Sequence, residues 1–194
     1  MNGPFKGKCV VVTGAASGIG EALAHAFGGA NIVINNAGMA LVAPALSVPL
    51  ADAHWLMAIN FWGVVHGCRA FAPQLQLRPG GVLVNISSIF AMVSMPTQSY
   101  YNASKAAVRG FSDALREELR TPAQGHPVQV LCVHPGGIRT RIAQQARLGD
   151  ISSIAASPDD LHRQFDDNAP TSPAQAASEP DHDARRTLRC TPVG

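Results

Sequence analysis

Charge is scarce in this chain. Only 14% of its 194 residues are Asp, Glu, Lys or Arg, and the formal net charge is +2. A disordered segment or a protein that coats a polyanion needs the opposite balance, so nucleic acid is not an expected partner. The four cysteines, Cys9, Cys68, Cys132 and Cys190, form no CxxC pair and have no histidine at ligand spacing. This argues against a zinc site and a disulfide framework, and fits a reducing, cytoplasmic setting. Long apolar runs are missing too. After two N-terminal lysines only Cys9 to Val12 is continuously apolar, too short for a signal peptide, and no stretch approaches membrane-spanning length. With 46% hydrophobic residues, the chain can bury a substantial core in one domain, and small molecules are its expected partners.

Four short β-branched runs stand out: Cys9–Val12, Ile32–Ile34, Val82–Ile86 and Val128–Val133. Most are continuous rather than alternating, as in parallel strands covered on both faces. Helical periodicity fills the gaps. Ile19, Ala22, Leu23, Ala26 and Phe27 form one stripe, Val108, Phe111, Leu115 and Leu119 another, and a further helix is expected over roughly Ala51 to Ala72. Strands alternating with helices imply right-handed βαβ crossovers and an α/β, Rossmann-like doubly wound parallel sheet in three αβα layers. Such a sheet binds ligands beyond the carboxyl ends of its strands.

Past Pro135 the character changes. Ser157-Pro158-Asp159-Asp160 and Ser172-Pro173-Ala174-Gln175 both read as helix starts, with Ser at the N-cap, Pro at N1 and an acceptor at N3. Pro180 stops the second after about two turns. The expected organisation is a single truncated domain over 1–177, with 139–177 covering the substrate, followed by a disordered tail at 178–194.

Thr13-Gly14-Ala15-Ala16-Ser17-Gly18-Ile19-Gly20 follows the first strand and opens the first helix. Glycines there permit a tight turn and close approach of backbone N–H groups to a pyrophosphate; a plain loop is the alternative. Asn35-Asn36-Ala37-Gly38 ends the second strand as a ligand-lining segment or simply as a turn. Ser87-Ser88 follows the third strand, and Tyr101 and Lys105 stand at i and i+4 on one helix face. A phenol near pKa 10 needs a neighbouring cation to act as acid or base at neutral pH, and Lys105 is placed to supply it. Ser88 can hydrogen-bond a carbonyl oxygen that Tyr101 protonates as hydride arrives at carbon. The same Tyr-x-x-x-Lys spacing also arises on solvated helix faces.

TGxxxGIG, NNAG, a serine after the next strand, YxxxK and PG occur here in one order, and with them the chain resembles the classical short-chain dehydrogenases/reductases from about Lys6 to Gln175. The resemblance implies a catalytic tetrad of Asn60, Ser88, Tyr101 and Lys105. Tyr101 would be the acid/base, Ser88 would polarise the substrate, and Asn60 would hold a water for a proton relay with the lysine. Ser88 rather than Ser87 matches because the family's serine lies thirteen positions before its tyrosine. Gly14, Ser17, Ile19 and Gly20 would contact the dinucleotide, with Tyr101 and Lys105 also on the cofactor. Asn36, Ala37 and Gly38 would line its ribose, and Pro135, Gly136, Ile138 and Thr140 would face the nicotinamide and carboxamide. The implied cofactor is NAD(H) or NADP(H), with NAD(H) preferred because Ser17 is not basic. Ile142, Leu148, Ile151 and Leu161 suggest an apolar lining for a hydrophobic alcohol or ketone, and a homo-oligomer is allowed.

The chain also departs from that family. Only fourteen residues separate Gly20 from Asn35, where the family has two further strand–helix units. No acidic residue stands ~20 residues past the glycine turn to hold the adenine ribose. The second and third strands and the final strand are therefore expected to be missing, which bares an edge of the first strand. An altered gene product would explain both departures. Two function classes compete on this reading: an NAD(P)-dependent oxidoreductase interconverting an alcohol and a carbonyl, and a catalytically silent remnant that at most binds or dimerises. A serine hydrolase is disfavoured because no GxSxG elbow surrounds Ser88.

Overall fold

The computed structural model describes residues 8–13, 31–172 and 188–190. The four apolar runs form the strands β1 (Val10–Thr13), β2 (Ile32–Asn35), β4 (Gly81–Ile86) and β5 (Val128–Pro135), and a short β3 (Leu41–Val42) follows β2. The β1, β2, β4 and β5 strands lie side by side in that order and run parallel. Val10 is opposite Ile32, Ile32 opposite Val82, and Gly81 opposite Val128. The parallel α/β sheet expected from the sequence is thus present, with β1 at one end of the strand order. Among the described residues no strand pairs with the outer edge of β1, and Val12 is 61% exposed there.

Helix α1 (Leu50–Met57) passes through a π-helical turn, Ala58–Trp62, into α2 (Gly63–Leu75); α3 spans Ser99–Arg120 and α4 Pro158–Asp167. One face of the sheet is closed by α2 and α3. Val64, Cys68, Phe71 and Leu75 of α2 and Val108 of α3 bury against Val33, Leu83, Val130 and Cys132. A second apolar cluster, around Leu56, Leu41, Val48 and Tyr101, lies under the loops at the strand ends. The start of α4 follows the expected capping pattern: Ser157 Oγ accepts the Asp160 N–H at 3.1 Å, with Pro158 in the first turn.

Three features differ from the sequence reading. Two-residue strands β3 and β6 (Arg147–Leu148) pair parallel, anchoring the segment after β5 to the one after β2. Such short pairings carry no periodicity to read. Secondly, the sequence offered no strand after α4, yet β7 (Leu188–Cys190) pairs antiparallel with Val133–Pro135; the rest of the expected tail lies outside the described residues. The outer edge of β5 presents unpaired N–H and C=O groups that any extended segment can satisfy, whatever its polarity. The third is the π turn. The expected helices at Ile19–Phe27 and after Ser172 lie outside the described residues.

Candidate active site

The loops at the carboxyl ends of β2, β4 and β5 converge with the first turns of α3. Ser88 leaves β4 in an extended conformation and caps the 3-10 turn Ile89–Ala91, its Oγ accepting the Phe90 N–H at 3.2 Å. That bond occupies the hydroxyl's acceptor side and leaves its proton free to point elsewhere. Ser87 is committed differently: it is buried, and its hydroxyl donates to the Lys105 carbonyl at 2.8 Å.

Tyr101 and Lys105 lie one turn apart on α3 and both are buried. Phe90 packs edge-on against the Tyr101 ring with centroids 6.0 Å apart. The Lys105 ammonium lies 5.8 Å from the same ring centroid and donates to the Ile86 carbonyl at 3.1 Å. Burial lowers the Lys105 pKa to about 8, slightly opposed by Cys132. For Tyr101, burial raises the pKa above its ordinary value, and a hydrogen bond with the Ser88 side chain offsets only part of that. In the protein taken alone, desolvation wins and Tyr101 stands protonated at neutral pH.

Asn60 lies in the π turn and is fully buried. Its Oδ1 accepts the Met39 N–H at 2.8 Å, and its Nδ2 donates to the Met39 carbonyl and to Ser104 Oγ, each at 3.0 Å. Ser104 in turn donates to the Tyr101 carbonyl at 2.8 Å. One amide side chain thereby ties the segment after β2 to the turn of α3 that carries the tyrosine. A π turn re-aims side chains relative to a regular helix, and such turns frequently occur at functional sites. Met39 and Ser104 were not singled out from the sequence; their roles depend on contacts more than twenty positions away in the chain.

The structure thus brings together Asn60, Ser88, Tyr101 and Lys105. Gly38 joins them: a Cβ built there would stand 3.2 Å from Lys105 Nζ and 3.6 Å from Asn60 Oδ1. Without a side chain the backbone at Gly38 comes close to the lysine ammonium, where even a methyl group would crowd Lys105 Nζ. Ala37 is half-buried and Asn36 exposed. Pro135 ends β5 beside Ser87, whose N–H donates to the Val133 carbonyl at 2.8 Å. Beyond it the loop is held by the segment that ends at residue 171. Arg139 N–H donates to the Thr171 carbonyl at 2.8 Å, Thr171 N–H donates to the Gly137 carbonyl, and Ile138 bridges to Thr171. Gly136 accepts the Ile138 N–H, and Thr140 is exposed. Gly14, Ser17, Ile19 and Gly20 lie outside the described residues. Of the expected apolar lining, Ile142 packs against the cluster containing Tyr101, while Leu148, Ile151 and Leu161 are half-buried.

Beneath the site is a buried polar network with no counterpart in the sequence reading. Asn35 Nδ2 donates to Asn85 Oδ1 at 2.8 Å, and Asn85 Nδ2 donates to Ser112 Oγ at 2.9 Å. Ser112 donates to the Val108 carbonyl at 2.7 Å. The network fastens the ends of β2 and β4 to α3, below the segment that carries Gly38. Among the described residues no group of three or more His, Cys, Asp or Glu could hold a metal ion, and no helix is long and apolar enough to cross a membrane.

The chain is similar to known oxidoreductases and to solved short-chain dehydrogenase structures. The chain is 45% identical over 134 residues to a putative oxidoreductase SadH of Mycobacterium tuberculosis, covering 66% of this chain and 48% of that protein. It is 36% identical over 135 residues to an NADPH-dependent 1-acyldihydroxyacetone phosphate reductase of Schizosaccharomyces pombe, covering 70% and 44%. The chain therefore spans about half the length of these curated relatives. A short-chain dehydrogenase/reductase from Burkholderia phymatum, solved in complex with NAD, superposes with a TM-score of 0.61 at 29% identity, covering 77% of this chain and 56% of that one. The family model described as short chain dehydrogenase matches residues 23–150, about two thirds of the sequence, and the chain accordingly belongs to the short-chain dehydrogenase/reductase family of oxidoreductases.

Proposed function

We propose that this chain interconverts an alcohol and a ketone or aldehyde with a nicotinamide dinucleotide, and that Tyr101 is its acid/base. The observation that carries the reading is the grouping of Ser88, Tyr101 and Lys105 beside Gly38. A dinucleotide bound there would supply or accept the hydride. Gly38 and Lys105 would hold the nicotinamide ribose, with Asn36 and Ala37 alongside, and Pro135, Gly136, Ile138 and Thr140 would face the nicotinamide end. NAD(H) is the preferred form because Ser17 offers no positive charge to a 2′-phosphate.

For reduction, the substrate carbonyl oxygen accepts hydrogen bonds from Ser88 Oγ and the Tyr101 hydroxyl. Negative charge developing on that oxygen is stabilised where it forms, and Tyr101 completes the step by giving up its proton. Lys105, charged below about pH 8, then faces a new phenolate and favours it. Asn60 holds Met39 and Ser104 in register around this group, and its proposed water would return a proton through Lys105. The exposed Val93 and Met95, in the loop that follows Ser88, support an apolar substrate.

A second reading has its own support. The short Gly20–Asn35 span and the missing acidic residue remove the adenosine end of the usual site, which favours a silent remnant that binds or dimerises without turnover. Assay of the purified chain with NADH or NADPH against medium-chain ketones such as 2-decanone separates the two. Turnover abolished by Tyr101→Phe and reduced by Ser88→Ala supports the oxidoreductase; a folded chain with no turnover supports the remnant.

A further inference from the structure

The catalytic account leaves one buried titratable ring unused. His134, the penultimate residue of β5, is 1% exposed and lies on the same strand face as Val130 and Cys132. Its Nδ1 is 3.2 Å from the carbonyl oxygen of Ser88. The same oxygen accepts the Ala91 N–H at 3.0 Å, so the 3-10 turn and the histidine together fill both of its acceptor positions. A carbonyl only accepts, which assigns the ring proton to Nδ1 and leaves Nε2 as a bare lone pair. Nε2 is buried and finds no hydrogen-bond partner among the described residues. An apolar side chain would fill this place without stranding a polar atom. Among the described residues the one polar contact the ring makes is with the Ser88 carbonyl.

We propose that His134 is a positioning residue for Ser88, its Nδ1–H fixing the peptide plane from which the serine hydroxyl projects. Ser88 is held from its N-terminal side by the β4 ladder and from its C-terminal side by the Phe90 and Ala91 N–H groups of the 3-10 turn. β5 already holds the preceding residue through the Ser87 N–H bond to the Val133 carbonyl, and His134 adds a restraint from the same strand on the Ser88 carbonyl itself, which sets the turn's tilt relative to β5. Its ring stays neutral near pH 7, because burial lowers its pKa and Arg109 and Arg116 of α3 act in the same direction, against Asp113 and the Ser88 carbonyl. The catalytic consequence rests on the function proposed above; the positional one does not.

The test uses the full chain, with His134→Leu to remove the donor and His134→Asn to restore one at the Nδ1 position. Long-range 1H–15N spectra of the wild type are expected to show the proton on Nδ1, and the Ser88 carbonyl 13C resonance should move in His134→Leu and return in His134→Asn. With NADH and 2-decanone, His134→Leu should lower kcat roughly tenfold, the size expected from loss of one hydrogen bond. KM for NADH should stay unchanged, with kcat recovering in His134→Asn. A proton on Nε2, or a Ser88 resonance indifferent to both variants, overturns the proposal. Equal losses in kcat and melting temperature in both variants, without rescue, also overturn it by reducing His134 to a packing residue. If the wild type turns over no carbonyl, the oxidoreductase reading falls while the spectra still decide the positioning.

Discussion

The Lys105 ammonium and the Tyr101 ring are 5.8 Å apart, both buried, with the ammonium tied to the Ile86 carbonyl rather than to any carboxylate. A buried cation with no anionic partner among the described residues is costly, and its pKa of about 8 against an ordinary 10.5 reflects that cost.

The stability consequence has a definite sign. Below pH 8 the folded chain holds a desolvated charge; between 8 and 10.5 the unfolded chain binds more protons than the folded one, so stability rises with pH. Lys105→Met should therefore stabilise the fold at pH 7 by about 1–3 kcal/mol, the upper end being the pKa shift converted to free energy and the lower end allowing for the Ile86 carbonyl left unpaired. Urea unfolding at pH 7 and pH 9.5 checks this: the advantage should be clear at the first and shrink at the second. A variant less stable than wild type at pH 7 would contradict it.

The rates should depend on pH in opposite ways for the two directions. Carbonyl reduction needs protonated Tyr101 and charged Lys105, and should hold through neutrality and fall above about pH 8. Alcohol oxidation needs the phenolate, which burial disfavours, and should climb with pH throughout the neutral range. Initial rates with NADH and 2-decanone, and with NAD and 2-decanol, between pH 6 and 10 test both; identical profiles would count against Tyr101 as the group that exchanges the proton.

Gly38→Ala probes the close approach to Lys105. The new methyl would sit 3.2 Å from Lys105 Nζ, the movable end of a long side chain, so the fold should tolerate it while the ammonium is crowded. NADH affinity is expected to weaken roughly tenfold with little change in melting temperature. Unaltered affinity would place the ribose elsewhere.

Gly67→Ala should do the reverse. A Cβ there would come within 2.2 Å of Asn35 Oδ1, which belongs to the buried Asn35–Asn85–Ser112 network and has little room to yield. Overpacking of this kind typically costs about 1–3 kcal/mol, measurable by thermal unfolding, and displacing Asn35 should also disturb the neighbouring Asn36–Gly38. A neutral substitution would mean that α2 and β2 pack less tightly than described.

Much of this was legible in the sequence. Strand positions came from continuous β-branched runs, α4 from the Ser157 cap, and the grouping of Ser88, Tyr101 and Lys105 from the ordered motifs shared with the short-chain dehydrogenases/reductases. The unread parts are those made by contacts between distant positions. Asn60 was named through the family resemblance alone, its bonds to Met39, 21 positions away, leaving no local signal, and Asn85 reads as a strand residue until paired with Asn35, 50 positions away. The raised pKa of Tyr101 was missed because burial is a tertiary property that local spacing does not report.

The central claim is that this chain, despite its short nucleotide-binding half, still holds a nicotinamide dinucleotide. Titrating purified, monodisperse protein with NADH and separately with NADPH, following nicotinamide fluorescence, tests it most directly. Saturable binding that persists in Tyr101→Phe and disappears in Gly14→Asp is the predicted result, while a well-folded chain that binds neither dinucleotide would contradict the claim.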